Sequence, residues 1–197
     1  MSGQRTSEAL VFFPWKGLNV VREYVVPTNP KTDAQNTQRD YVRDAVAAIH
    51  TQQGLLYSPL DAADVIAVSL WASKVKAATT WFNQLVKNWI DQKVAGLETA
   101  IFRDGYVNVG AETALFGIHC DEIGTEAITQ VTAYWGTSPT ALVNTIVMTL
   151  AVPQDRASID IAPLTGKVKY YFQARVTAPE AYVGVRSGIY HGTPTVA

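Results

Sequence analysis

From Glu98 to Ala197 the chain breaks into short runs of alternating apolar and polar residues, evenly spaced and separated by turn residues. The runs span 102–109 (FRDGYVNV, with an Asp-Gly turn signal), 114–122, 129–137, 144–152, 157–164, 167–176 and 182–190. Seven such runs in roughly a hundred residues predict a two-sheet β-sandwich. In KVKYYFQARV, Val168, Tyr170, Phe172, Ala174 and Val176 fall on one side of the strand. Lys167, Lys169, Tyr171, Gln173 and Arg175 fall on the other. A period of two places the first set inside.

The first half follows a different period. Residues 9–30 read as two short extended pieces around Pro14–Gly17. Val20, Val21, Tyr24, Val25 and Val26 favour strand, and Pro27 and Pro30 stop it. A strand pair this short is marginal alone and must lie on another surface. Helix one starts after Pro30, where Thr32 and Gln35 fit a capping box. Its apolar face carries Ala34, Tyr41, Val42, Ala45, Val46 and Ile49, and Gly54 ends it. Helix two starts at Ser58–Pro59, with Ser as cap and Asp61 in the first turn, and runs to about Ser73. Helix three runs from near Thr80 to Gly96, with Phe82, Leu85, Val86, Trp89 and Ile90 as its stripe. The expected fold is α+β: an extended docking arm over 1–30, a small three-helix bundle over 31–97, and a seven-stranded sandwich over 98–197.

Charge and motifs exclude several functions. Residues 1–97 hold ten basic and eight acidic groups; residues 98–197 hold six basic and nine acidic groups. Neither half has the excess that a nucleic-acid coat or a polybasic membrane binder needs. No run approaches the ~18 apolar residues of a spanning helix. Residues 1–10 are polar, so no signal peptide is expected. A lone Cys120 excludes an intrachain disulfide and a multi-cysteine zinc site. His50, His119 and His191 lie far apart without ligand spacing. No phosphate loop, GxSxG elbow or HExxH motif occurs. The chain is therefore expected not to be an enzyme and to use no cofactor or metal.

Individual candidates reduce to structure on the same reasoning. Cys120 lies between His119 and Asp121, and neighbours on a strand point to opposite faces, so a buried, inert thiol is expected. Asp121, Glu122 and Glu126 lack calcium-loop spacing and read as a solvated acidic loop. Arg39 and Arg43 interleave with Asp40 and Asp44, which reads as a salt-bridged helix surface.

The aromatics carry the interaction candidates. Trp71, Trp81 and Trp89 suit a core. Trp81 and Trp89 share one helix face, however, and Phe82 widens the apolar arc beyond what a small bundle hides, so both are candidates for a protein interface. Phe12, Phe13 and Trp15 form an aromatic cluster on the arm, suited to docking, and Tyr24 is a further interface candidate. Trp135, Tyr182 and Tyr190, with Tyr134, fall at expected sandwich ends and are candidates for stacking on sugar rings.

Two resemblances add to this. Residues 98–195 resemble a fibronectin type III domain. The likeness rests on Leu164-Thr165-Gly166-Lys167-Val168-Lys169-Tyr170-Tyr171-Phe172, on Tyr134-Trp135-Gly136-Thr137-Ser138 and on Val183-Gly184-Val185-Arg186-Ser187-Gly188. It implies that Tyr170 anchors a strand corner through its hydroxyl. The family's N-terminal Pro and second-strand Trp are missing, with Phe116 near the latter's place.

Trp15-Lys16-Gly17, Val21-Arg22-Glu23-Tyr24-Val25-Val26-Pro27, Asn29-Pro30-Lys31-Thr32-Asp33-Ala34-Gln35 and Arg39 resemble the start of small virion-associated proteins of tailed bacteriophages and prophages. That likeness covers about residues 10–95. It implies a structural protein of the virion, such as a capsid decoration, neck, tail or fibre-base component. Its partners would be itself and other virion proteins, with no nucleic acid and no membrane insertion, and it would assemble in the host cytoplasm. The alternative is a soluble carbohydrate or cell-surface binding module that takes host surface glycans.

Overall fold

A computed structural model of the chain describes residues 10–23, 31–74, 79–151 and 156–197. Its contacts divide into two compact units, Met1–Asn36 and Thr37–Ala197. In the first, β1 (Leu10–Trp15) and β2 (Leu18–Glu23) form an antiparallel hairpin, with Leu10 opposite Glu23 and Trp15 opposite Leu18. Lys16 and Gly17 make the turn with φ of 49° and 81°. Positive φ at both central residues suits the right-handed twist of a two-residue hairpin.

Three helices follow: α1 (Asp33–Gln53), α2 (Ala62–Lys74) and α3 (Trp81–Val94). The Thr32 hydroxyl accepts the Gln35 N–H at 3.4 Å, and the Thr80 hydroxyl accepts that of Asn83 at 3.3 Å. Gly96, at φ 74°, ends α3, with the Leu97 N–H returning to the Gln92 carbonyl. The start of α2 corrects the expected cap. Asp61, not Ser58, caps it, accepting the N–H groups of Ala63 and Asp64 at 2.8 and 3.0 Å. Asp64 reaches back to accept the Asp61 N–H at 3.0 Å. Two aspartates thus make a reciprocal capping box.

The rest of the chain forms two four-stranded antiparallel sheets. The strands are β3 (Thr99–Val109), β4 (Ala114–Ile123), β5 (Gln130–Gly136), β6 (Asn144–Val147), β7 (Thr149–Ala151), β8 (Arg156–Ile161), β9 (Tyr170–Ala178) and β10 (Tyr190–Gly192). One sheet runs β3-β4-β8-β7 and the other β10-β9-β5-β6. Eight strands replace the expected seven because the run 144–152 divides at Met148. β6 pairs with β5 in one sheet and β7 with β8 in the other. The buried Met148 donates its N–H to the Val131 carbonyl at the crossing.

Two further expectations are corrected. The Asp-Gly signal marks no turn: β3 continues through it. Between the pairs Arg103–His119 and Tyr106–Gly117, Asp104 and Gly105 stand opposite the single residue Ile118, a β-bulge with Asp104 at φ 48°. The run 182–190 is not a strand over most of its length. A 3-10 turn covers Glu180–Tyr182, and ladder pairing resumes only at Tyr190.

The sheets enclose one core. Phe116, Ile118 and Cys120 from β4 meet Val131 and Ala133 from β5 and Phe172, Ala174 and Val176 from β9. The Phe116 and Phe172 ring centres lie 5.8 Å apart. The alternation in β9 holds for the inner set from Tyr170 to Val176, and Val168, which precedes the strand, is partly buried. On the outer set Gln173 departs from expectation. It is buried, because the segment after the 3-10 turn crosses that face and the Gln173 amide donates to the Ser187 carbonyl at 2.9 Å.

The helices bury part of their apolar stripes against the sheets, while Ala34 and Val42 of the expected α1 stripe are exposed. Ala45 and Ile49 of α1 and Trp89 of α3 pack with Ile101 of β3. Ala67 of α2 joins the main core, and Val68 and Trp71 pack on Ile189. No helix among the described residues is long and apolar enough to cross a membrane.

Candidate functional site

The densest polar arrangement is the junction between α2 and the sandwich. Its centre is Asp64, 1% exposed. The bulge at Asp104–Gly105 turns two backbone N–H groups out of the β ladder, and both donate to the Asp64 carboxylate, at 2.8 and 3.0 Å. The Asp61 N–H is a third donor and the Tyr190 hydroxyl a fourth. Each oxygen receives two. A carboxylate offers about four acceptor positions, so this one is saturated. Burial raises the Asp64 pKa, and the four donors pull the other way. Burial and the Asp64 charge push the Tyr190 hydroxyl well above its ordinary value.

Two more polar ties fix the same element. The Ile189 N–H donates to the Ala67 carbonyl at 2.9 Å. Arg103 donates through Nη1 to the Ser58 carbonyl and grips Asp121 with two parallel bonds, the second at 2.8 Å. This corrects the reading of Asp121 as part of a solvated loop: it lies on β4 in a half-buried, bidentate pair. Glu122 also holds structure, accepting the Ile128 N–H at 2.9 Å. Beside them Asp104 lies 3.5 Å from His119 Nε2 and 3.6 Å from Arg156 Nη2, and the Arg156 guanidinium covers the Tyr106 ring at 4.9 Å. Cys120 faces the core while His119 faces outward, as strand alternation requires. The junction's chemistry is therefore cohesive: its acceptors are filled, and it holds α2 to β3 and β10.

The expected interaction residues scatter. Only the backbone of Phe12, Phe13 and Trp15 is placed, on β1, and Tyr24 lies outside the described residues. Trp89 is in the helix–sheet core. Trp81 is half-buried and edge-on to Phe82 at 5.4 Å. Trp135 is half-buried, its ring 5.9 Å from that of Tyr170. Tyr182 and Tyr190 are corrected as surface candidates: both rings are buried. The 3-10 turn points Tyr182 inward, where its hydroxyl donates to the Glu126 carbonyl at 2.8 Å. Tyr190 lies over Gly105, which leaves no room there for a Cβ. Arg43 pairs with Asp40 at 2.8 Å and Asp44 at 3.7 Å, the salt-bridged surface expected of α1.

Sequence reasoning passed over the most exposed apolar pair, Leu56 and Tyr57, at 93% and 87% exposure in the α1–α2 loop. The signal was available: Leu55-Leu56-Tyr57 lies between two helix boundaries, outside either apolar stripe. Both large apolar side chains stand in water there. In comparisons with known proteins no family model matches this chain, and no curated protein matches it.

Proposed function

We propose that the chain is a structural protein of a bacteriophage or phage-like particle, docking to other subunits through its N-terminal half and presenting its sandwich outward. The observation that carries this reading is the β1–β2 hairpin. It forms a compact unit with the start of α1, and each strand has the other as its only strand partner among the described residues. A two-stranded ribbon is marginal on its own. Its apolar sequence gains stability by adding to another surface, and a neighbouring subunit supplies one. The exposed Leu56–Tyr57 pair and the solvent-facing first turns of α1 support the same role. So does the similarity of residues 10–95 to virion-associated proteins.

The immunoglobulin or fibronectin-type reading of the sandwich is supported by two features. Sheet orders β3-β4-β8-β7 and β10-β9-β5-β6 correspond to the A-B-E-D and G-F-C-C′ orders of that class. The Tyr170 hydroxyl accepts the Thr165 N–H at 3.0 Å, the corner bond that the resemblance implies. Burial of Tyr182 and Tyr190 weighs against the sugar-stacking alternative.

The test is deletion of residues 1–30 in the particle-forming system. Loss of the protein from purified particles, with the sandwich still folded by circular dichroism, is the expected result. Incorporation at the full copy number sinks the docking role.

A further inference from the structure

One groove away from the junction carries charge that the described residues do not balance. It lies between the last turn of α2 (Trp71, Lys74), the turn at Thr140 and the outward side of β9 (Gln173, Arg175), with Arg186 alongside, and has a volume of about 220 Å³. Arg175 and Arg186 are partners in an isolated antiparallel bridge. Both guanidiniums are held in place. Arg175 lies 4.0 Å over the Tyr134 ring, and its Nε donates to Gln173 Oε1 at 3.0 Å. Arg186 lies 6.0 Å from the Trp71 ring, and its Nε donates to the Gly184 carbonyl at 3.4 Å. Each Nε is thus occupied, while the Nη groups make no hydrogen bond to the described residues.

Among the described residues neither guanidinium has a carboxylate within 4.0 Å. Burial, and then the Arg186 charge, pull Arg175 below the ordinary arginine value. Two like charges, half-buried and without a counter-charge among the described residues, raise the free energy of the folded state. An anion lying between the two guanidiniums would relieve the pair. Guanidinium forks match oxyanions in shape as well as charge, and Lys74 adds a point charge on the groove wall. A single carboxylate would leave most of this charge unmet. A phosphate monoester carries about −1.5 to −2 at neutral pH and several acceptor oxygens.

We propose that the groove bounded by α2, Thr140 and β9 binds a phosphate-class dianion, held by Arg175, Arg186 and Lys74. This goes beyond the particle reading and does not depend on it.

The test is titration of the full chain with inorganic phosphate, and separately with phenyl phosphate, by calorimetry in a buffer above the second phosphate pKa. Sodium chloride keeps the ionic strength constant. Saturable binding is expected, weakened about tenfold or more by Arg186→Gln, as loss of a charge-assisted bidentate contact implies. Lys74→Gln, at an exposed helix end, weakens it as well and keeps the test available if the Arg186 variant folds poorly. Tighter binding of phenyl phosphate assigns the site to a phosphate carried on a larger molecule; equal or weaker binding assigns it to the free ion. The proposal is overturned by an absence of saturable binding of either probe, or by affinities that both variants leave unchanged.

Discussion

The Asp64 carboxylate accepts the hydroxyl hydrogen of Tyr190, 126 residues further along the chain. That bond ties the first turn of α2 to the last strand of the sandwich. The Asp104–Gly105 bulge supplies the other half of the tie. A bulge leaves backbone N–H groups without ladder partners, and a buried orphan donor is costly. The helix and the irregular strand therefore complete each other.

Asp64→Asn brings an amide N–H group among four donors, leaving some unmet. A destabilisation of about 1–3 kcal/mol is expected at neutral pH. Tyr190→Phe, which removes one hydrogen bond to a charged acceptor, should cost about 1.5–3 kcal/mol. The pH dependence has a defined sign. Asp64 is raised above 3.8 in the folded state, chiefly by burial. Its favourable contribution is therefore complete below that value and is lost as pH rises through the folded-state value. The advantage of wild type over Asp64→Asn should narrow across that window and then stay flat. Urea melts at a series of pH values measure it. An advantage that grows with pH contradicts the burial argument.

Tyr182 gives a second pH signature at the other end of the scale. Burial, then the charges of Glu98, Glu122 and Glu126, push its hydroxyl up to about 12. Because the folded value lies above the ordinary 10.0, the stabilisation is complete below pH 10 and is lost as pH rises through about 12. Tyr182→Phe should cost about 0.5–1.5 kcal/mol at neutral pH, from the bond to the Glu126 carbonyl. In alkali it should lose stability less steeply than wild type. Chemical denaturation at rising pH, followed by tryptophan fluorescence, checks both.

Tyr170 anchors the corner that leads into β9, and its ring packs beside Trp135. Tyr170→Phe keeps the packing and removes only the bond to the Thr165 N–H. The expected cost is about 1 kcal/mol, or a melting shift of about 2–4 °C for a unit of this size. A variant as stable as wild type would show that water replaces the hydroxyl at no cost.

Much of this architecture was legible in the chain, and the misreadings have local causes. The inner set of β9 was readable because strand alternation and burial coincide there. The start of α2 was not, because Ser58-Pro59 and Asp61-x-x-Asp64 are both valid caps four residues or fewer apart. Asp104-Gly105 fits a hairpin turn and a bulge equally well. What decides is Asp64, a distant acceptor that local pattern cannot reveal. Gln173 and Tyr190 went astray for the same reason: each is covered by a segment far from it in sequence. Arg175 and Arg186 belong to separate runs, and only the isolated bridge brings their charges together.

Gly188 tests how tightly α2 is seated. A Cβ at that position would stand 2.5 Å from the carbonyl carbon of Ala67 and 2.5 Å from the Val68 nitrogen. These are helix backbone atoms, which cannot rotate aside as a side-chain tip can. The adjacent Ile189 N–H bonds the Ala67 carbonyl at 2.9 Å, so the segment cannot retreat without breaking that bond. Gly188→Ala should therefore destabilise by about 1–3 kcal/mol through overpacking. The loss should fall on α2 first, because the three atoms nearest the new methyl all belong to Ala67 and Val68 of that helix. Hydrogen exchange reads this directly. Faster exchange across Ala62–Lys74, with β4 and β9 still protected, is the expected pattern, and uniform loss of protection in all elements would mean that α2 and the sandwich open as one unit.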